Sequence, residues 1–286
     1  GPVIYTAHGF HFYKGAPLIN WLCYYPMERW LSRYTDQQIC INREDYLCAR
    51  KFHASNVDYI PGVGMDLSKV CHLTTEEVKN KRLDLGIPLD KKMILSAGEL
   101  IKRKNHESVI RAVGQLKDKS FVYVICGHGE LQEYLGGLVH ELGLENQVLF
   151  TGYRSDIFEI YQIADLYVFP SIQEGLPMAL LEAMASGLPV VCSDIRGSRD
   201  LMEETFSEKE TARWKICAGG GIVRVANDAQ AYAETIGYML SKPKEMKRCG
   251  ERNTERAELY SKDRVESHMR EIYMRLEQSY NVDGNR

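Results

Sequence analysis

The chain has 286 residues, enough for one large or two medium-sized domains. With 44% hydrophobic and 26% charged residues, its composition is typical of a globular protein that buries a sizeable core. The net charge of −3 argues against nucleic acid as a main partner. No run of about 18 apolar residues is present, so no membrane-spanning segment is expected.

Eight cysteines are spread along the chain without the spacing of a metal site or of a redox motif. Two of them, Cys126 and Cys192, fall in segments that are expected to be buried strands. A reduced, cytoplasmic setting therefore fits the cysteine pattern better than a scaffold held by disulfides.

The N-terminal region begins abruptly. Gly1-Pro2 resembles the remnant of a cleaved tag, and Val3 to Ala7 is predicted to be a buried strand, so we expect the natural protein to start earlier. The strand ends at His8, and the glycine that follows allows the chain to leave the sheet sharply.

Residues 17–34 form an aromatic-rich stretch with helical spacing. Pro26 predicts a kink or a restart within it. We favour a helix that faces the core. The alternative is a membrane-surface helix that meets a lipid-linked acceptor, since Trp, Tyr and Arg suit a headgroup boundary.

A Pro/Gly-rich break at residues 61–66 marks a domain boundary. We therefore predict a first domain over 1–65 and a second over 66–261, with a helical tail, 262–286, that packs back on the first. From residue 92 on, continuous apolar segments alternate with amphipathic ones. This rhythm predicts an α/β fold, a doubly wound parallel sheet with helices on both faces. Asn105 and Ser155 are predicted to cap helices in it.

The most informative stretch runs from Ser171 to Val191 and predicts a strand, a loop, a helix and a strand. Pro177 suits the first helical position, and Gly187 suits the end of the helix. Loops at the carboxyl ends of parallel strands bind ligands, and the first free N–H groups of a helix favour an anion. We expect a phosphate group here, with the relevant N–H groups supplied by Gly175, Leu176 and Met178.

Two carboxylates flank that loop, Glu174 before the helix and Glu182 within it. Taken singly, each is most simply explained as a solvated surface acid. Taken together at this spacing, the two acids suit separate parts of one extended ligand.

The segment Glu174-Gly-Leu-Pro-Met-Ala-Leu-Leu-Glu182 resembles the E-x7-E motif of the retaining glycosyltransferases of family 4, which have the GT-B fold. The resemblance implies two Rossmann-like domains, of which the first is incomplete here, and a last helix that crosses back to it. It also implies that a histidine at the end of a first-domain strand faces acceptor and donor. His8 matches that position best, and His11 is second.

The family also holds the donor diphosphate through basic residues after the first strand of the second domain. Lys104 matches the expected lysine, whereas Glu99, which follows Gly98, stands where an arginine is usual. Lys102 or Arg103 is the candidate substitute. A run of three basic residues is otherwise most simply a solvated face.

Two further loops line the donor site in the family. The first contains Gly127. The second contains Tyr153 and Arg154, whose backbone is implied to neighbour the nucleotide base; the alternative for these two residues is an ordinary surface turn.

The resemblance implies transfer of a sugar from a UDP- or GDP-linked donor with retention of configuration. Glu174 would bind sugar hydroxyls and Glu182 the ribose, and neither would act as a nucleophile. No Asp-x-Asp stands at a strand end, so no metal or other cofactor is required.

The opening residues resemble members that build bacterial capsule or exopolysaccharide, which implies a glycan or polyprenyl-linked acceptor and peripheral contact with the inner membrane face. Two alternatives stay open: a nucleotide-sugar-binding fragment without turnover, and a GT-B type sugar-nucleotide epimerase. A glycosidase, which also needs two carboxylates, has no use for the phosphate-type helix terminus.

Overall fold

A computed structural model describes residues 1–202 and 209–283, with side chains to residue 280. The chain divides into two compact units. The first contains Gly1–Asp66, Glu174–Leu176 and the chain from Leu259 on; the second contains Leu67–Gln173 and Pro177–Glu258. The change of unit after Asp66 lies in the Pro/Gly-rich segment chosen as the domain boundary. Residues 284–286 of the predicted tail lie outside the described residues.

The first unit contains a parallel three-stranded sheet in the order β1-β2-β3. The strands are β1 (Ile4–Ala7), β2 (Gln37–Cys40) and β3 (Asn56–Tyr59). Its helices are α1 (Leu18–Leu31), α2 (Arg43–Ala49) and, from the end of the chain, α11 (Lys262–Asp283). Side chains of α11 complete the core of this unit, because Val265 and Ile272 are buried in one cluster with Ile39 and Ile60.

The expectation that the aromatic helix faces the core is met only in part: Tyr25 is half-buried and packs against the cluster that contains Phe10 and Phe12. No residue of α1 is buried, and Leu18 and Leu22 are 81% and 73% exposed. The helix also continues through Pro26 without a restart. Helical spacing shows that aromatic residues share one face of the helix, but not what covers that face. Among the ring contacts of the described residues, Phe12 is the buried ring on which Trp21 and Tyr25 pack.

The second unit is built on an eight-stranded sheet in the order β6-β5-β4-β7-β8-β11-β10-β9. Its parallel strands are β4 (Lys92–Ala97), β5 (Phe121–Cys126), β6 (Val148–Gly152), β7 (Leu166–Phe169), β8 (Val190–Ser193) and β11 (Gly220–Val223). Every residue of β5, β7 and β8 is buried. This agrees with their continuous apolar sequences, which are typical of strands in a sheet covered on both faces. The sheet ends in two antiparallel strands that the sequence analysis missed, β9 (Lys209–Glu210) and β10 (Trp214–Cys217).

Helices alternate with these strands. They are α3 (Thr75–Asp84), α4 (His106–Gln115), α5 (Gln132–Glu141), α6 (Ile157–Ile163), α7 (Met178–Ala185), α8 (Arg196–Met202), α9 (Ala229–Leu240) and α10 (Pro243–Ala257). The sequence favours a helix over about 197–203, which corresponds to α8; residue 203 lies outside the described residues. Among the helices described, none has both the length and the apolar character that a bilayer crossing demands.

Two helix starts differ from the prediction by one residue. Asp156, and not Ser155, precedes α6, and Pro177 is the residue before α7, so Met178 is the first helical residue. Pro177 has an extended backbone with ψ near 103°, which a helical residue does not have. Gly187 follows α7 with a φ of +80°, the left-handed conformation expected of the residue that ends a helix.

Candidate functional site

A cavity of about 660 Å³ opens in the second unit at the carboxyl ends of β4, β5 and β6. Five of the predicted site residues line it: Gly98, Gly127, Tyr153, Arg154 and Glu182. Its volume lies within the range of about 300–1,000 Å³ that is usual for small-molecule sites. In an open parallel sheet, this edge is where ligands bind.

Two strand-end loops form one wall of the cavity because glycine lets their backbones touch. Gly127 has a φ of +148°, and a Cβ built on it would lie 1.9 Å from the carbonyl oxygen of Gly98. A Cβ on Gly129 would lie 2.7 Å from the backbone of Leu100. The two glycines therefore do more than make the turn, since any side chain at either position would force the loops apart.

Glu182 lies in α7 and contributes its carboxylate to the cavity. Its Oε2 accepts a hydrogen bond of 3.3 Å from the hydroxyl of Tyr161. Burial raises the pKa of this carboxyl, while the bond from Tyr161 and the charge of Lys69 lower it in part. Glu182 is therefore a half-buried acid on the wall of the cavity, not an ordinary surface residue.

Lys104 lies in a short 3-10 turn, Lys102–Lys104, after β4. The following residue, Asn105, is left-handed with a φ of 55°, and its amide donates to the carbonyls of Pro170 (3.1 Å) and Ala226 (2.7 Å). This side chain ties the basic turn to the carboxyl end of β7. Asn105 thus holds the position before α4, as predicted, but makes no side-chain cap bond to that helix.

The basic turn places its three cations differently. The Lys104 stem packs beside Gly98, with its Cδ 3.5 Å from the position of a Cβ there, and its ammonium lies 5.5 Å from the ring centroid of Phe169. Arg103 donates to the carbonyl oxygen of Gln173 at 3.2 Å. Lys102 is exposed. Lys104 is therefore the cation held against the loop that lines the cavity.

Tyr153 and Arg154 follow β6 at the rim of the cavity. Tyr153 is 74% exposed. Arg154 makes two hydrogen bonds to the carboxylate of Asp156, of 2.8 and 2.6 Å, and Lys81 of α3 pairs with the same carboxylate. The rim is thus held by an ion-pair network, while the exposed Tyr153 ring meets the ring of His128 edge-on, with centroids 6.2 Å apart.

Four predicted site residues, His8, Glu174, Gly175 and Leu176, belong to the first unit. A Cβ on Gly175 would lie 1.8 Å from the carbonyl oxygen of His8, so the two backbones are in direct contact. His8 is exposed, Glu174 is half-buried and Leu176 is buried. His11, the second candidate, packs its ring at 4.7 Å from that of Tyr24.

Sequence reasoning missed Tyr161, which lines the cavity and bonds to Glu182. Tyr161 lies in α6 beside Ile160 and Ile163, so in the sequence it looks like one more buried apolar residue of that helix. Only the pairing of α6 with α7 in space reveals its contact with the acid. Within the described residues, no group of three His, Cys, Asp or Glu side chains is arranged to hold a metal ion.

Sequence comparisons identify relatives of this chain. Residues 77–256 match the family described as glycosyl transferases group 1. The chain is 35% identical over 275 residues to EpsD of Bacillus subtilis, which is named as a glycosyltransferase; the match covers 95% of this chain and 69% of EpsD. It is 29% identical over 212 residues to the UDP-Gal:alpha-D-GlcNAc-diphosphoundecaprenol alpha-1,3-galactosyltransferase of Escherichia coli, covering 71% of this chain and 54% of that enzyme.

Solved structures share the fold at low sequence identity. HepE of Anabaena, in complex with UDP, has a TM-score of 0.79 at 19% identity, over 96% of this chain and 72% of HepE. WaaG, a glycosyltransferase involved in lipopolysaccharide biosynthesis, has a TM-score of 0.72 at 19% identity, over 94% of this chain and 74% of WaaG. The chain belongs to the group 1 glycosyltransferases and has the GT-B fold.

Proposed function

We propose that this chain binds a nucleoside diphosphate sugar and transfers the sugar, with retention of configuration and without a metal, to a glycan or lipid-linked acceptor. The observation that carries the proposal is the cavity at the carboxyl ends of β4, β5 and β6, with its two glycine-built loops and the Glu182 carboxylate. Sites of this kind usually bind a dinucleotide or another nucleotide ligand such as a sugar nucleotide.

Each part of the donor has a proposed partner. The ribose hydroxyls donate to Glu182, the base lies beside Tyr153 and Arg154, and the diphosphate lies near Lys104, whose stem packs on Gly98. Glu174 is proposed to accept hydrogen bonds from the transferred sugar. Charge-assisted bonds of this kind are worth about 1.5–3 kcal/mol each.

The proposed reaction is a front-face substitution. The acceptor hydroxyl attacks the anomeric carbon on the side from which the diphosphate leaves, the bond between that carbon and the phosphate oxygen breaks, and the hydroxyl proton passes to a diphosphate oxygen. The products are a glycoside of unchanged configuration and a nucleoside diphosphate. Lys104 acts mainly in the transition state, because negative charge grows on the diphosphate as the bond breaks.

The names of relatives support the choice of donor and acceptor. The Escherichia coli relative uses UDP-Gal and a diphosphoundecaprenol-linked acceptor, and a Campylobacter jejuni relative, 38% identical over 127 residues, is also named for a diphospho-undecaprenol acceptor. We propose that the donor is UDP-linked rather than GDP-linked, and that the acceptor is a polyprenyl-linked glycan of exopolysaccharide synthesis. Peripheral contact with the inner membrane face would then bring the enzyme to its acceptor, and the exposed Leu and Trp side chains of α1 suit such contact.

The test begins with thermal unfolding of the chain in the presence of UDP, GDP and uridine. A rise in the melting temperature with UDP or GDP but not with uridine is expected, because the diphosphate contributes much of the binding. Absence of any nucleotide effect would contradict the proposal. Radiolabelled UDP-sugars with polyprenyl-diphosphate-linked acceptors then report transfer.

Two outcomes of the transfer assay identify the alternatives. Donor that is converted without any acceptor indicates an epimerase. Nucleotide binding without transfer by this chain indicates a nucleotide-sugar-binding fragment without turnover.

A further inference from the structure

Tyr161 is 1% exposed, yet its hydroxyl reaches the donor cavity. The oxygen lies 3.3 Å from Oε2 of Glu182 and 3.4 Å from the carbonyl oxygen of Ala179. A tyrosine hydroxyl has one proton to donate, and an ionised carboxylate is a stronger acceptor than a neutral carbonyl. The bond to Glu182 is therefore the favoured one whenever that acid is charged.

The ring of Tyr161 is fixed by other aromatic rings. Phe158 and Tyr167 contact it edge-on, with centroids at 5.9 and 5.7 Å. Tyr167 stacks on Phe169 at 6.4 Å, and the ammonium of Lys104 lies 5.5 Å from the Phe169 centroid. A continuous row of buried rings thus runs from the acid of α7 to the cation of the basic turn, and Tyr161 has no freedom to follow a moving glutamate.

We propose that Tyr161 is a positioning residue, whose hydroxyl holds the Glu182 carboxylate so that its remaining lone pairs accept the ribose hydroxyls of the donor. The inference rests on the proposed function of this cavity. A glutamate side chain loses substantial rotamer freedom when it binds a ligand. Tyr161 removes part of that freedom before the ligand arrives, so the nucleotide binds a prepared acceptor.

The charges around Glu182 give the arrangement a pH dependence. Two groups act on it directly, Tyr161 from α6 and Lys69, and Glu182 in turn acts on Tyr167 of β7. The other ionisable groups that line the cavity are Glu99, Cys126, His128, Glu130, Tyr153 and Arg154. Because burial raises the pKa of Glu182, its acceptor form is lost as the pH falls through that pKa. Removing the Tyr161 hydroxyl raises the pKa further and shifts this loss to higher pH.

The experiment compares the full chain with its Tyr161→Phe variant, using UDP and 2′,3′-dideoxy-UDP as ligands in calorimetric titrations over about pH 5 to 8. We expect the wild type to prefer UDP. The variant is expected to bind UDP about 3- to 10-fold more weakly at the upper end of the range, with its binding lost at higher pH than in the wild type, and to bind the dideoxy compound unchanged.

Tyr123→Phe is the matched control. Tyr123 is also wholly buried, and its hydroxyl donates to Ser96 at 2.9 Å, away from Glu182. Both variants remove one hydroxyl and keep the ring, and the control is expected to leave the preference for UDP and its pH profile unchanged. Glu182→Ala gives a second check, since it leaves no side-chain acceptor for the Tyr161 hydroxyl, and adding Tyr161→Phe to it is expected to change nothing further.

The outcomes separate the two proposals. Equal weakening of both ligands by Tyr161→Phe, or no weakening of either, overturns the positioning role while leaving the proposed function intact. A wild type that binds UDP and the dideoxy compound equally also overturns it, because the ribose is then not read. A wild type that binds neither UDP nor GDP contradicts the proposed function itself.

Discussion

Single residues at the cavity are held in place by neighbouring side chains. Glu182 is held by the hydroxyl of Tyr161, and the basic turn of Lys104 is tied down by Asn105 through the carbonyls of Pro170 and Ala226. Such support favours precise contacts to a diphosphate, because a cation on an unrestrained turn loses more conformational entropy when it binds. The first predictions concern these positions.

Lys104→Ala is expected to lower transfer about 10- to 100-fold, because one charge-assisted bond to the leaving diphosphate, worth about 1.5–3 kcal/mol, is lost. Steady-state kinetics with a UDP-sugar measure the change. Lys102→Ala is the control, since Lys102 is exposed on the same turn and is expected to keep its activity within about twofold. Equal activity of the two variants would remove Lys104 from the site.

Gly127→Ala is expected to destabilise the fold by about 2 kcal/mol or more and to weaken nucleotide binding. The added Cβ would lie 1.9 Å from the Gly98 carbonyl oxygen, so the two loops must separate. Gly137→Ala in α5 is the control: no atom lies within 4 Å of its Cβ, and the helix gains up to about 1 kcal/mol. Urea titrations compare the two, and a Gly127→Ala variant of wild-type stability would contradict the close contact.

At the scale of secondary structure, the sequence predicted best where burial leaves few choices. The continuous apolar segments expected of a doubly wound sheet become β5 and β7, because strands buried on both faces must be apolar throughout. α3 was missed because it buries none of its residues, although the capping box of Thr74 and Glu77 marks its start. Strand β10, which lies between β11 and the edge strand β9, is short and contains Lys215, so it lacks the continuous apolar pattern.

The ion-pair network between α3 and α6 gives a prediction at this scale. The bond from Arg154, followed by that from Lys81, lowers the pKa of Asp156. A carboxyl with a lowered pKa contributes stability above its unfolded pKa of about 3.9, and this contribution is lost as the pH falls below that value. Asp156→Asn is therefore expected to cost about 1 kcal/mol at pH 7 and progressively less in acid.

Unfolding in urea at pH 7 and at about pH 3 measures the effect of Asp156→Asn. Glu159→Gln is the control, because the Glu159 side chain is 45% exposed against 22% for Asp156 and is expected to contribute less. A cost that stays constant between the two pH values would show that the charge of Asp156 does not stabilise the fold.

At the scale of the whole molecule, the chain makes two units, and the end of the chain belongs to the first. Ile272 of α11 is 3% exposed in the cluster that contains Ile39 and Ile60. Ile272→Ala is expected to cost about 2–5 kcal/mol, whereas Met274→Ala, at a residue that is 50% exposed, is expected to stay within about 0.5 kcal/mol. Urea unfolding tests both, and equal costs would contradict the packing of α11.

The same scale shows why the site was predicted only in part. The places of Glu182 and Gly127 on the cavity wall follow from motifs and from the rule that ligands bind at the carboxyl ends of parallel strands. Tyr161 does not, because its contact with Glu182 depends on how α6 lies beside α7. The exposure of α1 did not follow either, since an aromatic face with helical spacing is compatible with a core and with a surface.

A crystal structure of the chain with UDP tests the central claim most directly. The account predicts the ribose within hydrogen-bond distance of Glu182, the base beside Tyr153 and Arg154, and the diphosphate next to Gly98 and Lys104. Nucleotide bound elsewhere, with this cavity of about 660 Å³ still open, would contradict it.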